Sequence, residues 1–345
     1  MTTTRNVGPS EDLQRAHTVL TRARQLCTPL LREAVDSLQD PLRRMAGYHF
    51  GWWDVHGVPT DADSGKALRA ALTLSVAAAY GSLEQGCRAA AAVELMHNFT
   101  LIHDDVMDGD HFRRGRPTVW AVWDVGGAIL LGDVLQSLAF RMVSTDMPAT
   151  VSAAAAARLA AAGVEVCRGQ QQDCLFETRT QVEMNEYIAM AAGKTGALMG
   201  CAAALGALCA GATEDAVADM ETFGNELGLA FQFVDDIMGL CGDPATTGKP
   251  AGRDLLRRKR TLPIVAALES DTAAARSLAE LYLSTQAIPP TEVAAAIELV
   301  VAAGGIQRAG DQAQARITTA LAALPADLHT PDLVALAQLV AHRNR

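Results

Sequence analysis

Apolar residues recur every three to four positions along almost the whole chain, which is the spacing of one face of an α-helix. Alternation of apolar and polar residues at a period of two, which is typical of half-buried strands, is not convincing in any segment. The sequence therefore predicts an all-α fold. In chain order, the predicted helices cover residues 11–34, 38–51, 65–81, 86–108, 127–145, 149–176, 181–210, 214–241, 261–270, 273–284, 290–304, 305–323 and 331–343.

Short breaks between these segments carry turn residues, such as Gly57-Val58-Pro59 and Gly242-Asp243-Pro244. No long low-complexity linker divides the chain of 345 residues, and no repeat of solenoid period occurs. We therefore expect one large helical-bundle domain over residues 11–345, preceded by a short disordered tail over residues 1–10. Because this tail has no apolar stretch, we do not expect a secretory signal.

The composition narrows the functional classes. The formal net charge is −10, so the overall field of the protein opposes nucleic acid, and an anionic ligand needs a local basic pocket or bound cations. The seven cysteines are scattered without a C-x-x-C pair, which indicates reduced thiols in a cytoplasmic protein. The uncharged run 195–213 is mostly Gly and Ala, so we expect a buried helix there and no stable membrane insertion.

Two acidic motifs stand at the ends of long apolar helical segments. One is His103-Asp104-Asp105-Val106-Met107-Asp108, and the other is Val234-Asp235-Asp236-Ile237-Met238-Gly239. Asp104 and Asp108 share one helical face, where their mutual repulsion and the helix dipole both destabilise the helix end. A solvated acidic helix end explains one such motif equally well, but two favour divalent cations, because carboxylates with phosphate oxygens and water suit Mg²⁺.

Further motifs give the chain a specific resemblance. Arg113-Arg114-Gly115-Arg116-Pro117-Thr118 follows the first acidic motif, and FQFVDDIMGLCGDPATTGKPAGRDLLRRKRTLP spans residues 231–263. Gly169-Gln170-Gln171-Gln172-Asp173 and Lys194-Thr195 lie between them. In this order the motifs resemble those of the trans-isoprenyl diphosphate synthase (polyprenyl synthetase) family, including bacterial geranylgeranyl and farnesyl diphosphate synthases. The resemblance implies an all-α bundle with a central active-site cavity and a magnesium-dependent prenyltransferase.

In this family, an allylic diphosphate loses its diphosphate with the help of several Mg²⁺ ions, and isopentenyl diphosphate attacks the resulting cation. By resemblance, the carboxylates assigned to magnesium, with Asp105 and Asp236 in support, are Asp104, Asp105, Asp108, Asp235, Asp236 and Asp243. The residues assigned to the allylic diphosphate and its surroundings are Arg113, Lys194, Lys249, Gln170, Asp173 and Lys259. Thr195 and Gln232 would present oxygens to the developing cation.

The isopentenyl diphosphate site implied by the resemblance is cationic and consists of Lys66, Arg69, His97 and Arg114. The family signature GGKxLRP is here Ser64-Gly65-Lys66-Ala67-Leu68-Arg69-Ala70, so the first glycine and the proline are missing. The second acidic motif departs too, since Gly239 stands where the family has a last aspartate. Asp243, two turns after Asp235, is the candidate replacement.

Side chains before the first acidic motif limit product length in this family. The candidates here are Phe99, Thr100 and Met96, and a single aromatic residue resembles the producers of geranylgeranyl diphosphate. Farnesyl diphosphate remains the alternative product. Two other functions stay open, a class I terpene cyclase and a non-catalytic subunit on the same fold. The resemblance also implies a homodimer.

Overall fold

The computed structural model describes residues 9–63, 65–241, 252–283 and 288–342, and these residues form a bundle of α-helices. The all-α prediction is confirmed. The helices are α1 Pro9–Asp36, α2 Leu42–His49, α3 Leu68–Ala79, α4 Cys87–Met107, α5 Val119–Thr145, α6 Ala149–Phe176, α7 Met184–Ala191, α8 Ala197–Cys209, α9 Glu214–Cys241, α10 Arg253–Leu256, α11 Leu262–Leu268, α12 Ala273–Leu283, α13 Val293–Ala302, α14 Gly305–Ala322 and α15 Pro331–Ala341.

Helices α4, α8 and α9 lie at the centre of the bundle. Residues 89–93 of α4 are fully buried, and nearly every residue of α8 is buried, including Leu198, Met199 and Leu205. Helix α9 packs on α8 and α14, α4 packs on α5, and α1 packs on α15. The uncharged run that the sequence predicted as a buried helix therefore lies in the core.

Several observed helices are two or three residues shorter than predicted at an end, such as Leu68–Ala79 for 65–81, and three differ more strongly. The helix predicted for 38–51 begins only at Leu42, because Pro41 disfavours helical backbone at the residue before it. The predicted helix 127–145 extends back to Val119, with a break at Asp124, whose φ is 77°. The predicted helix 181–210 is interrupted by the π-helical turn Ala192–Gly196.

A two-stranded hairpin follows the first acidic motif, where the sequence predicted a loop. Strand β1, Phe112–Arg113, pairs antiparallel with β2, Arg116–Pro117. The two turn residues, Arg114 and Gly115, both have positive φ, which is the backbone of the tight turns favoured in two-residue hairpins. This turn separates the two neighbouring arginines into different environments, as described below.

Candidate active site

The first acidic motif closes the C-terminal end of α4, beside two lysines from other parts of the chain. The Lys259 ammonium lies 2.9 Å from Asp108 Oδ2 and 4.0 Å from Asp173 Oδ2. The Lys194 ammonium lies 2.6 Å from the same Asp173 oxygen. Helix α4, helix α6, the π turn and the segment before α11 thus meet in one cluster of alternating charges, formed by Asp104, Asp108, Asp173, Lys194 and Lys259.

Burial and the neighbouring charges shift the pKa values of the residues in this cluster. Burial raises the pKa of Asp104, opposed by nearby Lys194. Burial also raises the pKa of Asp108, but Lys259 and Lys194 outweigh it, so the pKa of Asp108 is lowered. Burial lowers the pKa of Lys194, but Asp173 and Asp104 reverse this effect and hold its pKa above the usual value. The two lysines are therefore cationic at neutral pH and balance the carboxylates.

The donor set fits magnesium bound together with a phosphate ligand. Within the described parts of the chain, no three His, Cys, Asp or Glu side chains come close enough together to hold a metal ion by themselves. Mg²⁺ is usually held by one or two carboxylates, waters and substrate phosphates, not by a closed cage of protein ligands. Asp104 and Asp108, one helical turn apart, supply such a partial set.

In each acidic pair, the two neighbouring carboxylates face opposite directions. Asp104 is partly exposed and Asp235 is exposed, whereas Asp105 and Asp236 are only 2% and 6% exposed. Asp105 accepts from Arg113 Nε at 2.8 and 3.0 Å, and Arg113 Nη2 lies 2.7 Å from its Oδ1. Asp105 therefore holds Arg113 and the hairpin against α4, and its supporting role in magnesium binding stays a prediction.

Asp236, on helix α9, accepts hydrogen bonds from three donors. Its Oδ2 accepts the hydroxyl of Tyr187 and the backbone N–H of Leu262, the latter at 2.7 Å. Its Oδ1 accepts Gln232 Nε2 at 3.0 Å, and Gln232 Oε1 in turn accepts the Thr195 hydroxyl at 2.7 Å. Burial raises the pKa of Asp236 to about 7, against the lowering effect of these donors. The chain of hydrogen bonds fixes the direction in which Thr195 donates.

The π turn that carries Lys194 and Thr195 lies directly against α6. A Cβ on Gly169 would stand 2.2 Å from the backbone nitrogen of Lys194, so only glycine allows this approach. Gln170, next to Gly169, is buried, and its Nε2 lies 3.8 Å from Cys174 Sγ. The packing of α6 therefore brings Asp173 and Lys194 together.

Gly239, which stands where the family pattern has a last aspartate, lies beside a residue of α10. A Cβ on Gly239 would stand 2.7 Å from Asp254 Oδ2, so the carboxylate of Asp254 lies where an aspartate side chain at position 239 would begin. Acidic character is thus retained beside Gly239. Asp243 and Lys249, which the sequence proposed for metal and diphosphate, lie outside the described residues, and their roles stay predictions.

The cationic residues assigned to isopentenyl diphosphate gather around the start of α3. Arg69 Nη1 lies 3.0 Å from His97 Nε2, and a Cβ on Gly65 would stand 2.4 Å from Arg114 Nη2. Lys66 is exposed. Burial and the arginines lower the pKa of His97 well below its usual value, so the ring is neutral and accepts the Arg69 hydrogen bond at Nε2. Its Nδ1 then carries the proton and is a donor.

The chain-length candidates lie below Asp104 on α4. Phe99 is 6% exposed, and its ring meets that of His103 edge-on, with centroids 4.8 Å apart. Met96 is fully buried, and its Cε lies 3.6 Å from where a Cβ on Gly163 would stand. Thr100 is partly buried and donates to the His97 carbonyl. Two bulky side chains, Phe99 and Met96, therefore belong to the core in the two turns of α4 that precede the acidic motif.

Sequence reasoning missed several residues that support these groups. Arg257, which the sequence left unassigned, pairs with Asp110 at 2.8 Å. Tyr187 binds Asp236, and His49 Nε2 lies 2.9 Å from Asn98 Oδ1. Arg116 donates to the carbonyls of Tyr48 and Trp53. All of these contacts join residues that are far apart in the chain. No spacing within a single helix could therefore have revealed them.

Comparisons with known proteins agree with this arrangement. Residues 60–300 match the polyprenyl synthetase family. A geranylgeranyl diphosphate synthase of Mycobacterium tuberculosis is 51% identical over 94% of this chain and 93% of its own length. A (2E,6E)-farnesyl diphosphate synthase from the same species is 41% identical over 87% of this chain and 84% of its own.

Solved structures show the same fold. The crystal structure of a polyprenyl synthetase from Streptomyces coelicolor superposes with a TM-score of 0.89 at 43% identity, covering 94% of this chain and 98% of the other. A geranylgeranyl pyrophosphate synthetase from Pyrococcus horikoshii gives a TM-score of 0.83 at 31% identity, covering 94% and 98%. The resemblance seen in the motifs thus extends to nearly the whole chain, which belongs to the polyprenyl synthetase family and is a prenyltransferase.

Proposed function

We propose that this prenyltransferase joins isopentenyl diphosphate to an allylic diphosphate and that its main product is geranylgeranyl diphosphate. The observation that carries the proposal is the placement of two unlike anion sites along α4. His97 and Asp104 are seven residues apart, two turns along one face, or about 10 Å. One end is cationic and the other is acidic with lysines, so two diphosphates are held side by side by different means.

The acidic end suits the diphosphate that leaves. Mg²⁺ bound by Asp104, Asp108 and Asp235 would supply Lewis-acid stabilisation of that leaving group. Lys194 and Lys259, now paired with Asp173 and Asp108, stand ready to contact its oxygens. We assign Arg113, Gln170 and Asp173 to the surroundings of the same group.

Thr195 and Gln232 form the part of the site that suits the developing allylic cation. Because the Thr195 hydroxyl donates to Gln232, its oxygen lone pairs remain available to face the allylic group. Oriented dipoles in a buried site stabilise a developing charge without having to reorganise. The bond from the allylic carbon to its diphosphate oxygen breaks, a carbon–carbon bond to isopentenyl diphosphate forms, and one proton leaves.

The cationic end suits the diphosphate that stays. Arg69 and Arg114 provide charge, Lys66 lies exposed beside them, and neutral His97 offers its Nδ1–H. The proposal needs no metal here, because arginine side chains bind phosphate oxygens through several hydrogen bonds at once.

The defining experiment supplies the purified protein with Mg²⁺, isopentenyl diphosphate and each of dimethylallyl, geranyl and farnesyl diphosphate, with products identified by mass spectrometry. Geranylgeranyl diphosphate from all three primers is expected. A cyclic hydrocarbon from one allylic substrate alone would instead indicate a terpene cyclase. Turnover that requires another subunit would indicate a non-catalytic chain.

Phe99 is expected to act as the floor of the growing chain. Phe99→Ala opens space beneath Asp104, so products longer than geranylgeranyl diphosphate should form when farnesyl diphosphate and excess isopentenyl diphosphate are supplied. Thin-layer and mass analysis of the products measures this change. Phe140→Ala, at a half-buried position on α5, serves as the control and should leave product length unchanged. Products no longer than those of the unmodified enzyme would remove Phe99 from this role.

We also propose that the enzyme is a homodimer formed through α5 and α6. Both helices are apolar enough to cross a membrane by length and composition, yet only 39% of the apolar window of α5 and 28% of that of α6 is buried. The comparable window over α7 and α8 is 72% buried. Exposed Ile129, Leu130 and Val164 lie on these faces, and a second copy would cover this apolar surface.

The dimer proposal predicts that Leu130→Glu halves the molar mass seen by light scattering after gel filtration, because a charge would enter the interface. Val301→Glu is the matched control, since Val301 is similarly exposed on α13, at 55% against 60% for Leu130. The dimer proposal would be contradicted if light scattering gave a monomer mass for the unmodified protein, or if the protein floated with lipid vesicles as a monomer.

We assign the enzyme to the cytoplasm and expect no nucleic-acid partner. All seven cysteines lie within the described residues and are free, and Cys27, Cys201 and Cys209 are buried. Burial raises the pKa of Cys201 to about 12, so this thiol is inert as a nucleophile. Such thiols are typical of a reducing compartment.

A further inference from the structure

Glu94 is a buried carboxylate of α4 that the reaction described above does not use. It is 8% exposed, and its Oε1 accepts the backbone N–H of Ala70 at 3.0 Å. Helix α3 has no side-chain cap of its own, because the residue before it is Ala67, whose methyl group cannot accept a hydrogen bond. Glu94 therefore caps the first turn of α3 from a neighbouring helix, where the unpaired N–H groups and the helix dipole favour a carboxylate.

The same turn of α3 carries Arg69, and the same face of α4 carries His97. Glu94 and His97 are three residues apart, so both side chains reach towards α3. Ala70 is held by Glu94, while the adjacent Arg69 lies 3.0 Å from His97 Nε2. Two hydrogen bonds, one to the backbone and one to the guanidinium, thus fasten the start of α3 to α4.

The α4 side of this contact is itself held in place. Asn98 Nδ2 donates to the Glu94 carbonyl at 2.7 Å, and Asn98 Oδ1 lies 2.9 Å from His49 Nε2. Because Asn98 is 3% exposed, this support is inside the protein. Helix α2 therefore supports the turn of α4 from which Glu94 reaches α3.

We propose that Glu94 is a positioning residue for the isopentenyl diphosphate site, acting through the Ala70 N–H to hold Arg69 in place. In this chain Ala70 stands where the family signature has proline, and alanine supplies the N–H that Glu94 accepts. The inference rests on the function proposed above. Glu94 itself touches no substrate in this proposal.

The test compares three substitutions by steady-state kinetics. Glu94→Leu removes the acceptor, and Glu94→Asp keeps the charge but is too short to reach Ala70. Each should raise the KM for isopentenyl diphosphate about tenfold, the expected effect of losing one charged hydrogen bond. Glu94→Gln keeps an acceptor oxygen and should stay within about threefold. The KM for the allylic diphosphate should change by less than about twofold in all three, since its site lies elsewhere.

A double-mutant cycle with Ala70→Pro isolates the contact. Proline is tolerated in the first turn of a helix, so Ala70→Pro should fold, but it removes the N–H that Glu94 accepts and should by itself raise the KM for isopentenyl diphosphate about tenfold, as Glu94→Leu does. In the Ala70→Pro background, Glu94→Leu should cost only about threefold, because the N–H is already absent. Glu33→Gln, on the exposed face of α1, controls for the loss of a negative charge.

Three outcomes would overturn the proposal: a parallel rise in both KM values, Glu94→Gln as impaired as Glu94→Leu, or an additive cycle. If Glu94→Leu does not fold, Glu94→Asp carries the same comparison. Failure of the unmodified enzyme to condense its substrates would concern the proposed function alone. In that case, calorimetric titration with isopentenyl diphosphate tests Glu94 directly, and equal binding by the unmodified protein and Glu94→Asp would reject its role.

Discussion

Replacing Asp104 by asparagine is expected to lower kcat about a thousandfold, equivalent to about 4 kcal/mol of transition-state stabilisation. Asp104 and Asp108 share one face of α4 beside two lysines, and Asp104→Asn removes one of the three carboxylates proposed to hold Mg²⁺ against the leaving diphosphate. Because burial, together with the neighbouring Asp108, raises the pKa of Asp104 against the effect of Lys194, folding disfavours its charged form, and removal of this charge should not destabilise the fold.

The measurement is single-turnover product formation over a range of Mg²⁺ concentrations, with urea unfolding as a check of the fold. The Mg²⁺ concentration for half-maximal rate should rise at least tenfold in Asp104→Asn. Asp215→Asn removes an exposed carboxylate at the start of α9 and should leave both values unchanged. A kcat within tenfold of the unmodified enzyme would show that Asp104 does not hold the metal.

Replacing Asp236 by asparagine is expected to lower kcat about a hundredfold while the fold and the Mg²⁺ requirement remain. The carboxylate Oδ1 accepts from Gln232 Nε2, whereas an asparagine that still accepts from Tyr187 and Leu262 must present its Nδ2 there. Two N–H groups would then face each other, so the Gln232 amide must turn over. Gln232 Nε2 then points at the Thr195 oxygen, so the Thr195 hydroxyl hydrogen turns towards the position of the cation. Loss of one well-oriented dipole is expected to lower kcat about a hundredfold.

Kinetics at pH 8.5, above the raised pKa of Asp236 of about 7, ensure that the unmodified carboxylate is ionised. Thr195→Val removes the hydroxyl altogether and should lower kcat to a similar extent. A tenfold rise in the Mg²⁺ requirement of Asp236→Asn would instead make Asp236 a metal ligand. An unchanged kcat would disconnect this hydrogen-bond chain from the reaction.

Much of the fold follows from periodicity, because a long amphipathic or apolar helix is recognisable from its own residues. Helices α4, α6, α9 and α14 agree with their predicted ranges to within one or two residues. The π turn at Ala192–Gly196 was not predicted, since it arises from the contact of α6 with Gly193 and Lys194 and not from local preference. The hairpin at Phe112–Pro117 was likewise too short to show a strand pattern.

The candidate site, like the fold, was only partly predictable from the sequence. The motifs and the family resemblance identify Asp104, Asp108, Lys194 and Thr195 as candidates, and helical spacing puts Asp104 and Asp108 on one face. Which of two adjacent aspartates faces the protein interior depends on neighbours from other elements, such as Tyr187 for Asp236 and Arg113 of the hairpin for Asp105. The partners of Gly239 and Ala70, Asp254 and Glu94, were invisible for the same reason.

The sequence by itself determined the helical class, the family and the charged side chains that are candidates for the site, because these depend on residue identity and on spacing within single helices. Tertiary structure alone decided which partners these side chains have: Lys259 pairs with Asp108, Arg113 with Asp105, Lys194 with Asp173 and Glu94 with the Ala70 N–H. Such pairs join separate elements of the fold, and their formation depends on how these elements pack, which no local pattern encodes.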